Sequence, residues 1–275
     1  MQYFRGDLIA NIKRRTKIRK TALNLLEELA EDASNLLIIH YSCESFYDLD
    51  DGRSPRITSI SVKLYKTGQS VSFSIHKTAE VERKLTSIEE HYDDLVKVML
   101  DGFVEFIRKH LDCKWLHWNM REANYGFQAI NHRHSVVEGE PFEIPHENKI
   151  DLADKLKDIY GTDYMDHPRF AKLAQKNNIT KKDFLDGKSE SEAFQEKKYV
   201  QLHHSSLRKV NIIESIFEKV LDNSLKTNAK WYEVYGLSPQ AIFEAGRETW
   251  IFNLIIFILG VVLTLFLGWI LPKIF

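Results

Sequence analysis

The chain has 275 residues, 44% of them apolar and 28% charged, with a formal net charge of −1. That length allows one large domain or two small ones, and the near-neutral balance excludes a global basic field for nucleic acid or anionic lipid while permitting a local patch. Two cysteines, Cys43 and Cys113, are too few for a disulfide framework or a zinc knuckle; they suit a reducing compartment, as small buried apolar residues.

Taken in chain order, residues 1–34 are expected to form a basic amphipathic helix. Over 7–33 the apolar face comes from Ile9, Ile12, Ile18, Leu23, Leu25, Leu26 and Leu29. Lys13, Arg14, Arg15, Lys17, Arg19 and Lys20 form a cluster suited to phosphate or lipid headgroups, or to plain solvation. No apolar core precedes that cluster, so no export signal is expected there.

An apolar run at 35–47 predicts a first strand, and Asp-Gly and Ser-Pro in 48–55 predict a turn. Asp48, Asp50 and Asp51 in that turn are read as turn chemistry rather than a cation site. Alternation over 56–65 and 70–77 predicts two more strands of an antiparallel meander. Ser87 with Glu90 three residues on predicts the start of a long helix ending near His110. A fourth strand is expected over 113–120 and a helix over 123–132. From Asp151 the pattern turns helical, with segments at 152–160, 168–176, 181–185 and 205–223.

Residues 228–249 read as a linker, and 250–275 as a membrane tail. In that last segment Lys273 is the one charged residue. The 22 residues Ile251–Pro272 span roughly 33 Å as a helix, enough for a hydrocarbon core of about 30 Å. Trp250 and Trp269 stand near its two ends, where indoles prefer the interface. The expectation is a single-pass tail anchor with the N-terminal domain on the cytoplasmic side.

Strand, strand, strand, helix, strand, helix, then a helical second half is the order of an α/β, ribonuclease-H-like mixed sheet with flanking helices. Over residues 35–227 the layout resembles the DEDD family of 3′–5′ exonucleases. In that family a first-strand Asp-x-Glu, a segment of the His-Asn-x-x-Phe-Asp type and a late His-x-x-x-x-Asp hold two divalent metals that cleave a phosphodiester. Here the first motif stands as Ser42-Cys43-Glu44. The second stands as His117-Trp118-Asn119-Met120-Arg121-Glu122. The third stands as His203-His204-Ser205-Ser206-Leu207-Arg208-Lys209, with Lys209 where the acid is expected.

The resemblance implies Glu44, Glu122 and His204 as catalytic residues, Glu44 and Glu122 as ligands of Mg or Mn, and Ser42, Asn119, Arg208 and Lys209 as binding residues. Hard cations need several oxygen ligands, and a neutral Ser42 with a cationic Lys209 weakens such a site. Two classes follow. One is a degenerate exonuclease-like module at a membrane, binding nucleic acid, a nucleotide or a protein partner. The other is an active metal-dependent nuclease effector, with bacterial defence or stress response as its setting.

Overall fold

The computed structural model describes residues 2–44, 54–121, 125–230 and 234, and within the C-terminal segment residues 254, 257–262 and 264–265. The fold is α/β: a mixed five-stranded sheet flanked by helices, with strand order β3-β2-β1-β4-β5. In chain order the elements are α1 (Gln2–Glu31), β1 (Leu36–Cys43), β2 (Ile57–Leu64), β3 (Ser70–Ser74), α2 (Ile75–Val81), α3 (Tyr92–Arg108) and β4 (Lys114–His117). Then come α4 (Phe127–Val136), β5 (Lys149–Asp151), α5 (Leu152–Tyr160), α6 (Arg169–Lys176), α7 (Gly187–Gln195) and α8 (Tyr199–Leu221).

β1 is central and buried along its whole length, with Leu36–Ile39 apolar and His40 and Ser42 buried beyond them. It pairs antiparallel with β2 and parallel with β4, and β5 continues the parallel side. Side chains alternate between the sheet's two faces. Leu37, Ile39, Tyr41 and Cys43 pack in a core with α2, α3 and α4. Leu36 and Ile38 face a second core built with α1, α5, α6 and α8. His40 and Ser42 continue this second face, and so lie in the α8 layer.

Several boundaries differ from the sequence expectation, each for a local reason. β3 ends at Ser74 because Ile75 opens a helix and is fully buried from its first turn. Ser87 closes a short 3-10 turn, donating its backbone N–H to Lys84, so α3 starts at Tyr92 instead. There Tyr92 donates its hydroxyl hydrogen to the Ile57 carbonyl at 3.1 Å, tying the helix start to β2.

β4 stops at His117, two residues before Asn119 takes a left-handed φ of 54°. The helix expected over 123–132 is displaced to Phe127–Val136 by the tight return at Gly126. A Cβ at Gly126 would stand 2.2 Å from the Met120 carbonyl oxygen, and φ is 147°. Residues 181–185 are not helical; α7 follows them, and α8 starts six residues before Ser205. Ser205 and Ser206 are therefore interior helix residues.

Among the described residues no helix is long and apolar enough to cross a membrane. The expected span lies mostly outside those residues. Its described part is helical at 254, 257–262 and 264–265, with Phe257, Ile258, Leu259 and Leu265 exposed.

The core of the first face centres on Trp115, which is fully buried against the edges of Phe103 and Phe106. Trp115→Ala is expected to lower stability by about 3–5 kcal/mol in urea unfolding, since the cavity cannot collapse between two rings.

Candidate functional site

Where β1 and β2 meet α8 the interface is polar and buried. β2 turns Ser59 and Ser61 toward Ser206 of α8, at 3.1 and 2.6 Å between hydroxyl oxygens. Small side chains at these positions let the helix lie close to the sheet. Farther along, Lys63 bonds Asn211 at 2.9 Å and Glu214 at 2.5 Å, again between β2 and α8.

The centre of this seam is Glu190, a fully buried carboxylate from the first turn of α7. Ser42 donates to its Oε1 at 2.5 Å and Ser205 donates to the same oxygen at 3.2 Å. Its Oε2 stands 2.8 Å from the ammonium of Lys209, which is 4% exposed. Lys209 also lies 5.5 Å from the ring centre of Phe184. Asp186 holds the start of α7 by accepting from the Ser189 backbone N–H at 2.9 Å, which fixes where Glu190 enters the seam.

Residues 40 and 42 share a face of β1, so His40 belongs to the same buried layer. Its Nε2 lies 3.4 Å from the Tyr125 hydroxyl and its ring stacks on Phe170. Burial, and then the Lys209 charge, push its pKa well below the ordinary histidine value. His40 is therefore a neutral ring at neutral pH, with hydrogen-bonding capacity but no charge.

Of the residues singled out by sequence, the seam gathers Ser42 and Lys209. Glu44, two residues past Ser42, is half-buried, accepts weakly from the Arg56 backbone N–H at 3.4 Å, and its charge reaches Tyr92 and Tyr199. Glu122 lies outside the described residues. His204 is exposed on a separate groove with Asp183, Lys197 and Gln201. Its neighbour His203 turns inward to meet Ser72 at 2.8 Å, and burial lowers its pKa to about 3. Arg208 donates to the Lys182 carbonyl at 2.7 Å. Asn119 contributes its backbone N–H, donated to Asp151 at 3.1 Å. Among the described residues, no group of three or more His, Cys, Asp or Glu side chains is placed to hold a metal.

Two features escaped the sequence reading. Glu190 sits in a polar run, Lys188-Ser189-Glu190-Ser191-Glu192, that gives no sign of burial. The other is a cleft of about 410 Å³ at the carboxyl ends of β4 and β5, where open α/β sheets place ligands. His117, Arg121, Gln128, Lys149, Asp151 and Asp154 line it. His117 and Asp151 are register partners across the two parallel strands. Asp151 caps α5, accepting from the Ala153 backbone N–H at 3.0 Å. An Asp directly before the periodic run 152–160 is an N-cap signal that was available in the sequence.

His117 accepts the Met120 backbone N–H at Nδ1, so its neutral ring carries its proton on Nε2. Burial is the main cause that lowers its pKa to about 4; Asp151 opposes that shift, and Arg121 and Lys149 add to it. Comparison with known protein families, curated proteins and solved structures finds no match.

Two outcomes follow from this geometry. Lys209→Met alone strands a buried carboxylate and is expected to cost about 3–5 kcal/mol. Lys209→Met combined with Glu190→Leu should recover most of that loss, measured as a coupling energy in a double-mutant unfolding cycle. The pH response follows from the depressed His117. Unfolded chains take up a proton below about 6.5 while the folded ring stays neutral down to about 4. Stability is thus complete above the unfolded value and is lost as pH falls across that window. Chemical denaturation midpoints should decline there, and less steeply in His117→Asn.

Proposed function

We propose that the chain is a membrane-tethered, ribonuclease-H-like and exonuclease-like module that binds its ligand without two-metal cleavage. The order β3-β2-β1-β4-β5, with β2 antiparallel to its neighbours, supports the ribonuclease-H-like reading, since a meander followed by parallel strands is the layout that resemblance implies. The observation that carries the loss of metal chemistry is the contact of Lys209 with Glu190 at 2.8 Å. In the resembled enzymes, the meeting point of the first strand and the late helix is where cations are held. Here that meeting point contains an ammonium already matched to its carboxylate.

A divalent cation at this seam would face the Lys209 charge directly and would have Ser42 in place of an acid. Mg²⁺ also sheds its water reluctantly and needs near-octahedral oxygens. The neighbouring cleft has a volume in the range of small-molecule sites, about 300–1,000 Å³, which a nucleotide or the end of a short single strand would fill. Its lining sets Arg121, Lys149 and Lys155 against Glu143, Glu147, Asp151 and Asp154, unlike the one-signed basic track that long polyanions select. The apolar segment 251–272 would tether the module, with the folded domain in the cytoplasm.

Calorimetry on the full chain in neutral detergent tests this reading. A nucleotide or short oligonucleotide should release binding heat that does not depend on Mn²⁺, and the oligonucleotide should remain intact. Mn²⁺-dependent cleavage that disappears in Glu44→Gln would overturn the proposal in favour of an active nuclease.

A further inference from the structure

The exposed face of α1 is divided by charge. Arg14, Lys17 and Lys20 stand exposed, opposite the buried Ala22, Leu26 and Leu29. No acidic residue occurs between Asp7 and Glu27. Glu27, Glu28 and Glu31 then make the last two turns of the same exposed face negative.

Beside the basic block, a groove of about 380 Å³ runs between α1 and α5. Ile18, Ala22 and Leu25 form an apolar floor, and Lys17 and Lys155 stand on its rim. Asp158 also lines it, with its carboxylate held by Lys155 at 3.0 Å and its backbone carbonyl accepting from Arg15. An apolar floor under a cationic rim fits a ligand that is itself half apolar and half anionic.

The path of the chain points the same way. Leu225 and Val234, on the route toward the apolar C-terminal segment, pack in the layer that contains Ala22, Leu26 and Leu29 of α1. Leu225 and Val234 are therefore on the same side of the sheet as α1.

We propose that this groove receives the headgroup of an anionic phospholipid, so that the basic half of α1 lies on the bilayer that holds the C-terminal segment; this rests on the tail-anchor reading above. The phosphate oxygens accept from Lys17 and Lys155, and the glycerol and first acyl carbons cover Ile18 and Leu25. Repulsion of Glu27, Glu28 and Glu31 from the same surface sets which end of α1 faces the lipid. A nucleic acid would meet the same cations, but the acidic turns close its track after a short distance.

The test uses the full chain reconstituted in vesicles of phosphatidylcholine, with or without phosphatidylglycerol. Thr21→Cys places a fluorophore at the groove, Cys43 and Cys113 being buried. A headgroup-level nitroxide lipid should quench it when phosphatidylglycerol is present, and Lys17→Glu with Lys155→Glu should abolish that quenching. Resistance to alkaline extraction reports tail insertion separately. Protein that resists extraction but shows equal quenching in both lipids loses the groove and keeps the anchor. Protein that extracts, yet sediments with phosphatidylglycerol vesicles at least about tenfold better than with phosphatidylcholine, keeps the groove and loses the anchor. Extraction without such sedimentation overturns the proposal. So does an oligonucleotide that displaces the vesicles from the probe, which would assign the patch to nucleic acid.

Discussion

An ammonium shut between a sheet and a helix must have a carboxylate, and the carboxylate must be delivered by something. Lys209 reaches the seam from α8 because its helix face is directed at β1 and β2; Glu190 reaches it only because α7 turns back under the same helix. Ser42 and Ser205 then complete the coordination of one carboxylate oxygen. The positions of α7 and α8 and the choice of serine on β1 and on α8 fit that requirement. Burying an ion pair is poor value as stability, because both partners are stripped of water. What it supplies is specificity: one register of α8 satisfies the pair, and a slip by one residue leaves two charges stranded.

The serines play the complementary role. Ser59, Ser61 and Ser206 form hydroxyl contacts that replace side-chain volume, so backbone approach is set by atoms that need partners rather than by packing alone. The two faces of the sheet thus follow different rules. One is a conventional apolar core around Trp115 and Phe103. The other passes from Leu36 and Ile38 into polar chemistry at His40 and Ser42, over a few residues of one strand.

Much of this was legible in the sequence where the signal is local. The apolar run of β1, the alternation of β2 and the basic helix α1 are periodic patterns, and periodicity survives without knowledge of the partner. Ser42 and Lys209 could be singled out because the order of elements suggested which strand and which helix should meet. Their shared partner could not, since Glu190 lies 148 residues from Ser42 and looks like one more surface acid. The helix expected from 205 starts six residues earlier, and only tertiary contact reveals Ser205 and Ser206 as the inside of a longer helix. β5 has three residues, too few to carry any period. The cleft beside it depends on His117 and Asp151 sharing a register, which no linear pattern announces.

The closed arithmetic of charge at the seam also restricts how the sequence can drift. An acid entering at position 42 would set two carboxylates against one ammonium among buried side chains. An acid entering at position 209 would set a second carboxylate against Glu190 where its cation stands now. Neither change is tolerable as an isolated step, and each becomes acceptable after the other partner has already altered. The route between this arrangement and one with an acidic pocket therefore runs through neutral intermediates at positions 190 and 209. The order of substitutions, more than their number, decides whether a lineage can travel it.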